Sequence, residues 1–268
     1  QNLQLKYLHC AVNRISSLDV SGLKELISLN CESNHMTALD LTGCTALEII
    51  YCRYNDLPAV DFSTNTKLKF IKSFDNNLTK VDLSMLSELE FVHLDHNRLT
   101  NLDLSHNTNL SPIGSGFVAR NNWLDTLTLP ISSSLIVESS VYDEQDPKLG
   151  YERTAWYLDS DFTQPAPDNL PANGQTLYVK WLPNDYTIYF SANGGSGSMP
   201  SQAAVWNTDL VLPNCGFSRM GYQFSGWEDT FGDGKVYAAQ EKVKNLGGEI
   251  QGDRVTLYAQ WTPIQYQI

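Results

Sequence analysis

Cysteine and histidine, the side chains that most often act as nucleophiles, bases or metal ligands, are few in this chain. Its 268 residues contain five of each. Cys10, Cys31 and Cys52 are separated by 21 residues, a spacing that matches none of the zinc patterns. His93 with Asp95 could bind a metal, although a solvated or ligand-contacting surface is the favoured interpretation. We therefore expect neither a metal nor another cofactor.

Catalytic and phosphate-binding motifs are also missing from the sequence. There is no H-E-x-x-H, P-loop or G-x-S-x-G pattern. The run N-G-G-S-G-S at 193–198 resembles a phosphate loop in glycine content, but no Lys-Ser or Lys-Thr follows it. In D-T-F-G-D-G at 229–234, Phe231 stands where a calcium loop needs an oxygen ligand. We interpret both runs as turns and predict that the protein is not an enzyme.

Aspartates form a second column with the same spacing as the cysteines. A stack of calcium sites is one interpretation, but no second acidic column supplies the remaining oxygen ligands that calcium needs. We favour turn carboxylates that accept hydrogen bonds from nearby backbone N–H groups. The column comprises Asp19, Asp40, Asp61, Asp82 and Asp103.

Both columns belong to a repeat that fills the first half of the chain. A frame close to L-x-x-L-x-L-x-x-N-x-L recurs five times at 21-residue intervals, and a sixth copy follows an insertion near 111–114. The pattern resembles the leucine-rich repeat family over residues 1–130. A mainly β solenoid of about six coils is expected, with parallel strands on the concave face and short turns or 3₁₀ pieces on the convex face. A recurring asparagine, such as Asn13, should bond the backbone of adjacent coils. The copies begin at Leu5, Leu26, Leu47, Leu68 and Leu89.

Two pairs of matching segments form a different repeat in the second half. The motif G-Y-x-x-x-x-W begins at Gly150 and again at Gly221. The run T-L-Y-V-K-W-L-P, which begins at Thr176, matches T-L-Y-A-Q-W-T-P, which begins at Thr256. Residues 186–263 resemble the Listeria–Bacteroides repeat, the B-repeat of internalins, and this resemblance implies a β-grasp-like module.

The same resemblance places Trp227 and Trp261 in the core of that module. The last residues repeat the junction between copies, because W-T-P-I-Q-Y-Q-I at 261–268 matches W-L-P-N-D-Y-T-I at 181–188. Together with Gln1, which is not an initiator methionine, this match predicts a processed form or a part of a longer modular protein. We predict three domains: a leucine-rich repeat solenoid at 1–130, a shortened divergent B-repeat-like module at 131–182 and a B-repeat module at 183–268.

The concave face of the predicted solenoid is the surface where we expect a ligand. Equivalent residues of successive coils should lie side by side about 4.8 Å apart, and many of those that point outward are aromatic or basic. Exposed aromatic clusters with arginine mark interaction sites, whereas cross-strand stacking that only stabilises the sheet is the alternative. The candidate ligand-binding residues are Tyr7, His9, Ile49, Tyr51, Arg53, Tyr54, Phe70, Lys72, Phe74, Phe91, His93 and Asp95.

Charge and hydropathy limit the partners. The chain has 18 Lys and Arg against 30 Asp and Glu, and the net charge of -12 disfavours nucleic acids and anionic membranes. No apolar run reaches the roughly 18 residues of a membrane-spanning helix, so we expect no membrane insertion.

The area of the concave face limits the affinity. Six strands of about 20 Å would present about 580 Å² of surface, whereas each partner buries about 800 Å² in a standard interface. We expect a monomer that binds modestly, with multivalency raising its avidity.

The order of the two repeats resembles the organisation of internalins. This resemblance implies a secreted or surface-exposed bacterial protein whose solenoid recognises a protein or glycan on another cell. The B-repeats would then act as a stalk or an auxiliary contact. One alternative is a structural spacer without a ligand of its own, and a second is a hydrolase whose catalytic residues the sequence does not reveal.

Overall fold

Two compact units make up the chain, and the computed structural model describes residues 2–111, 116–229 and 234–265. The first unit extends past residue 130, where the sequence predicts the solenoid to end. The main segment of the second unit begins close to the predicted border at 183. The units comprise Gln1–Asp146 with Thr154–Lys180, and Pro147–Arg153 with Trp181–Ile268.

The first unit begins with a solenoid of stacked coils, which confirms the predicted mainly β fold. Its concave side is a six-stranded parallel sheet in the order β1-β3-β5-β6-β7-β9. Partners such as Leu29 and Ile50 are 21 residues apart, and the spacing rises to 25 between Val92 and Phe117. The predicted insertion accounts for this change, and residues 112–115 lie outside the described residues. The strands of the solenoid are β1 Tyr7–His9, β2 Ser17–Asp19, β3 Ser28–Asn30, β4 Ala38–Asp40, β5 Ile49–Tyr51, β6 Phe70–Lys72, β7 Phe91–His93, β8 Asn101–Asp103, β9 Phe117–Val118 and β10 Thr126–Thr128.

Hydrogen bonds between coils continue beyond these short strands. The Cys31 N–H donates to the Tyr51 carbonyl at 2.9 Å, and the Ser33 N–H donates to the Arg53 carbonyl at 3.0 Å. Each coil then turns at a non-glycine residue in the left-handed region, with φ between 51° and 57°. A Cβ atom makes that conformation unfavourable, yet it recurs at the same place in every coil. The residues are Val12, Ser33, Tyr54, Asp75, His96 and Asn121.

Buried asparagines hold each turn in place, as the repeat predicts. Asn55 Oδ1 accepts a hydrogen bond from the Met36 N–H at 3.0 Å. Its Nδ2 donates to the carbonyl oxygens of Cys31 and Cys52 at 3.2 and 3.1 Å. One side chain therefore bonds backbone groups of two adjacent coils. The equivalent residues Asn34, Asn76, Asn97 and Asn122 make the same kinds of contact.

Away from the concave sheet, the described coils contain short strands, with β2 parallel to β4 and β8 parallel to β10, and five of the coils then turn at an aspartate. Asp61 Oδ1 accepts the Ser63 N–H at 2.8 Å, a contact within one turn. This geometry confirms the interpretation of the column as turn carboxylates. The residues that make the same contact are Asp19, Asp40, Asp82 and Asp103.

Aliphatic side chains fill the interior of the coils, and the cysteine column belongs to this core. Cys31 and Cys52 are fully buried, whereas Cys10 in the first coil is half-buried. The Cys52 Sγ donates to Ser73 Oγ at 3.3 Å, and burial raises the pKa of this thiol to about 11. All three thiols are free. They act as small apolar side chains of the core.

A second sheet at the end of the solenoid completes the first unit. Strand β14 pairs antiparallel with β10, and the sheet has the order β12-β14-β10-β8. Trp156 of β12 packs edge-on against Tyr142, with ring centroids 5.1 Å apart. The elements are β11 Ile131–Glu138, a 3₁₀ turn at Ser139–Val141, β12 Tyr151–Tyr157, β13 Asn169–Asn173 and β14 Thr176–Pro183.

The second unit is a mixed sheet packed around a buried tryptophan. Its order is β16-β15-β21-β18-β19, with the parallel pair β15–β21 at the centre. Trp227 is fully buried, and its Nε1 donates to the Pro213 carbonyl at 3.2 Å. Trp261 is partly buried against the same core, and the β-grasp-like assignment stays a prediction. The strands are β15 Asp185–Ser191, β16 Gln202–Val205, β17 Leu210–Val211, β18 Tyr222–Asp229, β19 Val236–Tyr237, β20 Lys242–Val243 and β21 Asp253–Pro263.

Candidate functional site

The concave sheet brings most of the candidate residues together. Phe70 lies opposite Phe91, and Lys72 lies between Tyr51 and His93 in the register of adjacent strands. All five side chains are neither fully buried nor fully exposed. We refer to the connected group on β5, β6, β7 and the turns that follow them as the concave patch. It comprises Ile49, Tyr51, Arg53, Tyr54, Phe70, Lys72, Phe74, Phe91 and His93.

Aromatic rings form a continuous stack across three coils of the patch. The ring centroids of Tyr54 and Phe74 are 5.3 Å apart in an edge-to-face arrangement. Phe74 and His93 are 4.3 Å apart with tilted planes, and His93 meets Phe91 edge-on at 6.2 Å. Because each ring contacts the next, the orientation of each side chain restricts that of its neighbour.

Two cations are fixed against these rings. Arg53 forms a bidentate pair with Glu32, with Nε–Oε2 and Nη2–Oε1 distances of 2.6 and 3.2 Å. These hydrogen bonds hold the pKa of the Glu32 carboxyl below its ordinary value. The guanidinium carbon lies 5.0 Å from the centroid of the Phe74 ring, and Lys72 Nζ lies 5.0 Å from that of Tyr51. Such distances suit cation–π attraction.

Asp95 is the candidate residue that does not face solvent. Only 5% of its surface is exposed. Its Oδ1 accepts the Arg120 N–H at 2.8 Å, and its Oδ2 lies 3.2 Å from both Arg120 Nη2 and His93 Nε2. Asp95 occupies the predicted concave column, but the side chains of Arg120 and His93 cover it. Its place is therefore beneath the surface, where it fixes the His93 ring.

The first coil lies apart from the patch. Tyr7 and His9 are exposed on β1, and β3 separates them from β5. The outward residues of β3 at the same register are the small polar Ser28 and Asn30. The structure therefore does not join Tyr7 and His9 to the aromatic stack.

Two residues of the site were missed as candidates in the sequence. Glu32 orients Arg53, and Arg120 covers Asp95. The repeat places Glu32 in the same column as Arg53, so a search for opposite charges one coil apart could have found the pair. Arg120 lies 25 residues after Asp95 rather than 21, and the insertion hides this relation in the sequence.

The patch offers recognition chemistry: rings for stacking, a guanidinium and an ammonium for hydrogen bonding, and an aliphatic contact at Ile49. In the described ranges, no three His, Cys, Asp or Glu side chains are grouped so that they could hold a metal ion. The fold and the patch together define a leucine-rich repeat solenoid with an aromatic concave surface, joined in one chain to a mixed β-sheet unit.

Comparisons with known proteins agree with this class. Residues 186–260 match the family model of the Listeria-Bacteroides repeat domain. Internalin H of Listeria monocytogenes serovar 1/2a is 31% identical over 121 residues, which is 43% of this chain and 20% of that protein. A provisionally named membrane protein of Evansella cellulosilytica is 26% identical over 133 residues, which is 48% of this chain and 19% of that protein. The chain is an internalin-like repeat protein that spans about a fifth of the length of these curated relatives.

One solved structure also resembles the chain. It is the functional domain of InlJ from Listeria monocytogenes, which includes a cysteine ladder. The sequences are 19% identical, the match covers 68% of this chain and 62% of that one, and the TM-score is 0.41. Within the described part of this chain, no helix has the length and apolar character that crossing a membrane requires.

Proposed function

We propose that this chain is a non-catalytic recognition module of a bacterial surface or secreted protein, and that its concave patch binds a protein or glycan. The observation that supports this proposal is the aromatic stack with its fixed cations on one face of a rigid sheet. Aromatic residues and arginine dominate the energy of many interfaces. The resemblance to Internalin H supports placement at the cell surface.

The patch is already ordered before a ligand arrives. Arg53 is held by Glu32 and by the Phe74 ring, and His93 is held by Phe74 and Asp95. Ordering a free long side chain on binding costs about 0.5–1.5 kcal/mol. Arg53 and His93 lose much of this rotational freedom when the protein folds, so a ligand has less to order. Tyr54 keeps 48% of its surface exposed and gives a ligand direct access to the edge of the stack.

The chemistry of the patch suits a protein surface or a sugar face. Both present apolar area together with hydrogen-bond acceptors that Arg53 and Lys72 can reach. The concave sheet offers about 580 Å², less than the roughly 800 Å² that each partner buries in a standard interface. We therefore expect modest affinity for a single copy and higher avidity for copies arrayed on a surface.

Substitution of the patch tests the proposal. We replace Tyr51, Phe70 and Phe74 together by Ser and measure binding to cells and to protein and glycan arrays. The matched control is Met85→Ser, because Met85 is 57% exposed on a turn of the same solenoid. The expected result is at least a ten-fold loss of binding for the triple variant and no loss for the control.

A folding measurement separates recognition from support of the sheet. Arg53→Lys retains the positive charge but loses the bidentate contact with Glu32, and it leaves the rings in place. Weaker ligand binding by Arg53→Lys with an unchanged melting temperature supports recognition. If well-folded variants of the patch bind as the parent does, the concave face is not the recognition surface.

The structural spacer remains the second candidate, because the rings of the aromatic stack already contact one another without a ligand. Edge-to-face pairs contribute to stability even without a ligand, by about 0.5–1.5 kcal/mol each. A spacer predicts that the triple variant melts at a lower temperature, while no array component binds the parent chain above background. A binding component that depends on Tyr51, Phe70 or Phe74 excludes the spacer.

A further inference from the structure

Two turns of the second unit match each other in sequence and in backbone conformation. The motif G-Y-x-x-x-x-W begins at Gly150 in one turn and at Gly221 in the other, and φ is 80° at the first glycine and 79° at the second. The Gly150 carbonyl accepts the Asn184 N–H at 2.8 Å, and the Gly221 carbonyl accepts the Ile264 N–H at 2.9 Å. We define the first turn site as residues 148–151 with Asn184, and the second turn site as residues 219–222 with Ile264.

The two turn sites differ in what covers them. Gly150 is buried, and only 3% of the surface of Asn184 is exposed. Gly221 is exposed, and 40% of the surface of Ile264 is exposed. A Cβ atom added at Gly221 would meet open space. The second turn site therefore has the backbone shape of the first without its cover.

An indole ring is the main cover of the first turn site. A Cβ atom at Gly150 would overlap ring atoms of Trp206, so glycine is the residue that lets the ring come this close. The Trp206 N–H donates to the Asn184 carbonyl at 2.8 Å. Beside it, Asn207 Nδ2 donates to the Tyr151 hydroxyl at 3.1 Å. The contact therefore combines ring packing with hydrogen bonds.

The loop between β20 and β21 completes this cover. The Gly150 N–H donates to the Glu249 carbonyl at 3.3 Å. Asn184 Nδ2 donates to the carbonyl oxygens of Gly248 and Glu249 at 3.1 Å each. The indole and this loop both belong to residues 185–263, which contain β15 to β21 and which we call the β15–β21 module. One module therefore covers the turn site that precedes it in the chain.

The second turn site lies within and directly after the same module, and it keeps the groups that such a contact uses. Its Gly221 N–H and Ile264 carbonyl are equivalent to the Gly150 N–H and the Asn184 carbonyl. Among the described residues, neither of these two groups has a hydrogen-bond partner. Ile264 has no amide, so the bonds of Asn184 Nδ2 have no counterpart there. The space for an indole and the two backbone hydrogen bonds are retained.

We propose that the second turn site docks a further copy of the β15–β21 module, whose Trp206 indole lies against Gly221. In repeat proteins each repeat contacts its neighbours through the same pair of surfaces. The β15–β21 module carries both halves of such a pair, because it contains Trp206 and Gly221. The contact is head-to-tail, so it can add modules in one direction. It does not depend on ligand binding at the concave patch.

The test adds one module to the full chain. Residues 261–268 match residues 181–188, so a second copy of residues 189–268 placed after Ile268 continues the repeat in register. Hydrogen exchange measured by NMR compares the Gly221 amide in the parent and in the extended chain. Docking gives the Gly221 N–H the carbonyl of the added Glu249 as its acceptor. Exchange at Gly221 should therefore become at least about ten-fold slower.

Two variants of the added copy show which surface makes the contact. Trp206→Ala in the added copy should return the Gly221 amide to the exchange rate of the parent, because the covering ring is lost. Val211→Ala in the added copy is the matched control, since Val211 is 49% exposed on β17 and takes no part in the contacts described for the first turn site. It should leave the slow exchange unchanged. Slow exchange at Leu257 of the added copy confirms that this copy is folded.

A transplant within the parent chain tests the same surface without an added copy. Lys148→Arg, Leu149→Met and Asn184→Ile together give the first turn site the residues of the second. The Trp206 amide of this triple variant should exchange within about ten-fold of the parent rate, because the glycine and both backbone groups remain. Gly150→Ala, which displaces the ring, sets the rate expected when the contact is lost.

Two results would overturn the proposal. One is a Gly221 amide that exchanges as fast in the extended chain as in the parent while the added copy is folded, or slow exchange that survives Trp206→Ala in the added copy. The other is a folded triple variant whose Trp206 amide exchanges as fast as in Gly150→Ala. If the added copy does not fold, the triple variant decides the question alone.

Discussion

At the scale of single residues, the buried asparagines of the repeat join adjacent coils through backbone hydrogen bonds. Asn76 is 92% buried. Its Oδ1 accepts the Leu57 N–H at 3.1 Å, and its Nδ2 donates to the Cys52 and Ser73 carbonyls at 3.1 and 3.3 Å. The donor and the acceptors belong to two coils. Loss of this amide would leave the buried Leu57 N–H without its partner, whereas the Cys52 and Ser73 carbonyls would each keep one donor, from Asn55 and Asn97.

We expect Asn76→Ala to lower the free energy of unfolding of the solenoid by about 3 kcal/mol, because a buried unsatisfied group costs about 1–3 kcal/mol. Urea denaturation followed by circular dichroism measures the change. Asn13→Ala is the control, because Asn13 occupies the same position in the exposed first coil and its side chain donates only to carbonyls of that coil. Equal losses for the two variants would contradict the role assigned to the contacts between coils.

The sequence predicts the place of a residue in the solenoid only where the 21-residue period identifies its equivalents in other coils. The asparagine column and the outward position of Phe70 follow from the 21-residue period, because equivalent residues of stacked coils must become neighbours. The burial of Asp95 does not follow, since Arg120 reaches it from a coil that the insertion displaces. The left-handed backbone at Val12 is also hidden, because valine disfavours that conformation in isolation.

At the scale of elements, the convex turns depend on ionised aspartates. Hydrogen bonds from the Ser84 hydroxyl and from its backbone N–H lower the pKa of Asp82. The pKa of Asp61 is lowered in the same way by Ser63. A carboxyl with a depressed pKa in the folded state stabilises the fold above its unfolded pKa of about 3.9. This stabilisation is lost as the pH falls through the lower folded value.

We expect the melting temperature of the solenoid to fall as the pH drops below about 4, and we expect Asp82→Ala to reduce the size of that fall. The variant removes one group that takes up a proton only on unfolding. Differential scanning calorimetry at pH 6 and pH 3 checks both statements. Asp185→Asn provides the comparison, since Asp185 lies outside the turns of the solenoid. An unchanged pH dependence in Asp82→Ala would refute the linkage.

The end of the solenoid uses a glutamine where the earlier coils use asparagine. Gln145 Oε1 accepts the Leu124 N–H at 3.1 Å, and Nε2 donates to the Ala119 carbonyl at 3.1 Å. Asn122 makes the equivalent contacts one coil earlier, with the Leu99 N–H and the Leu94 carbonyl. The segment around Gln145 therefore acts as a further turn of the solenoid and covers its last repeat.

We expect Gln145→Ala to cost about 2 kcal/mol and to speed hydrogen exchange at the Leu124 amide. Exchange measured by NMR locates the effect, and thermal unfolding gives its size. Glu144→Ala is the neighbouring control, because the Glu144 side chain is exposed and its nearest cation, Arg120, is 3.6 Å away. Slow exchange at Leu124 in the Gln145 variant would show that another group protects the last repeat.

Sequence patterns could not assign this segment to the solenoid. Strand β11 interrupts the repeat between β10 and Gln145, and a longer side chain replaces the expected asparagine. The motif that begins at Gly150 directs attention instead to the second repeat, so the sequence predicts a separate module at 131–182. The 21-residue period does not record these hydrogen bonds, and the separate module at 131–182 stays a prediction.

At the scale of the whole molecule, the chain contains two separate hydrophobic cores. The core of the second unit is formed by residues from 186 to 261, with Trp227 at its centre. The solenoid core contains Leu57 and the other stacked aliphatic residues, all in the first unit. Each unit buries apolar side chains of its own. Such units are expected to unfold as separate cooperative transitions.

We expect differential scanning calorimetry of the full chain to show two transitions that respond to different substitutions. Trp227→Ala removes the largest buried side chain of the second unit and should cost that unit about 4 kcal/mol, because large-to-small changes lose both burial and packing. Leu57→Ala should lower only the other transition, by about 3 kcal/mol. One shared transition, or a shift of both transitions by either substitution, would mean that the two cores stabilise each other. In that case the solenoid could not present its concave patch independently of the second unit.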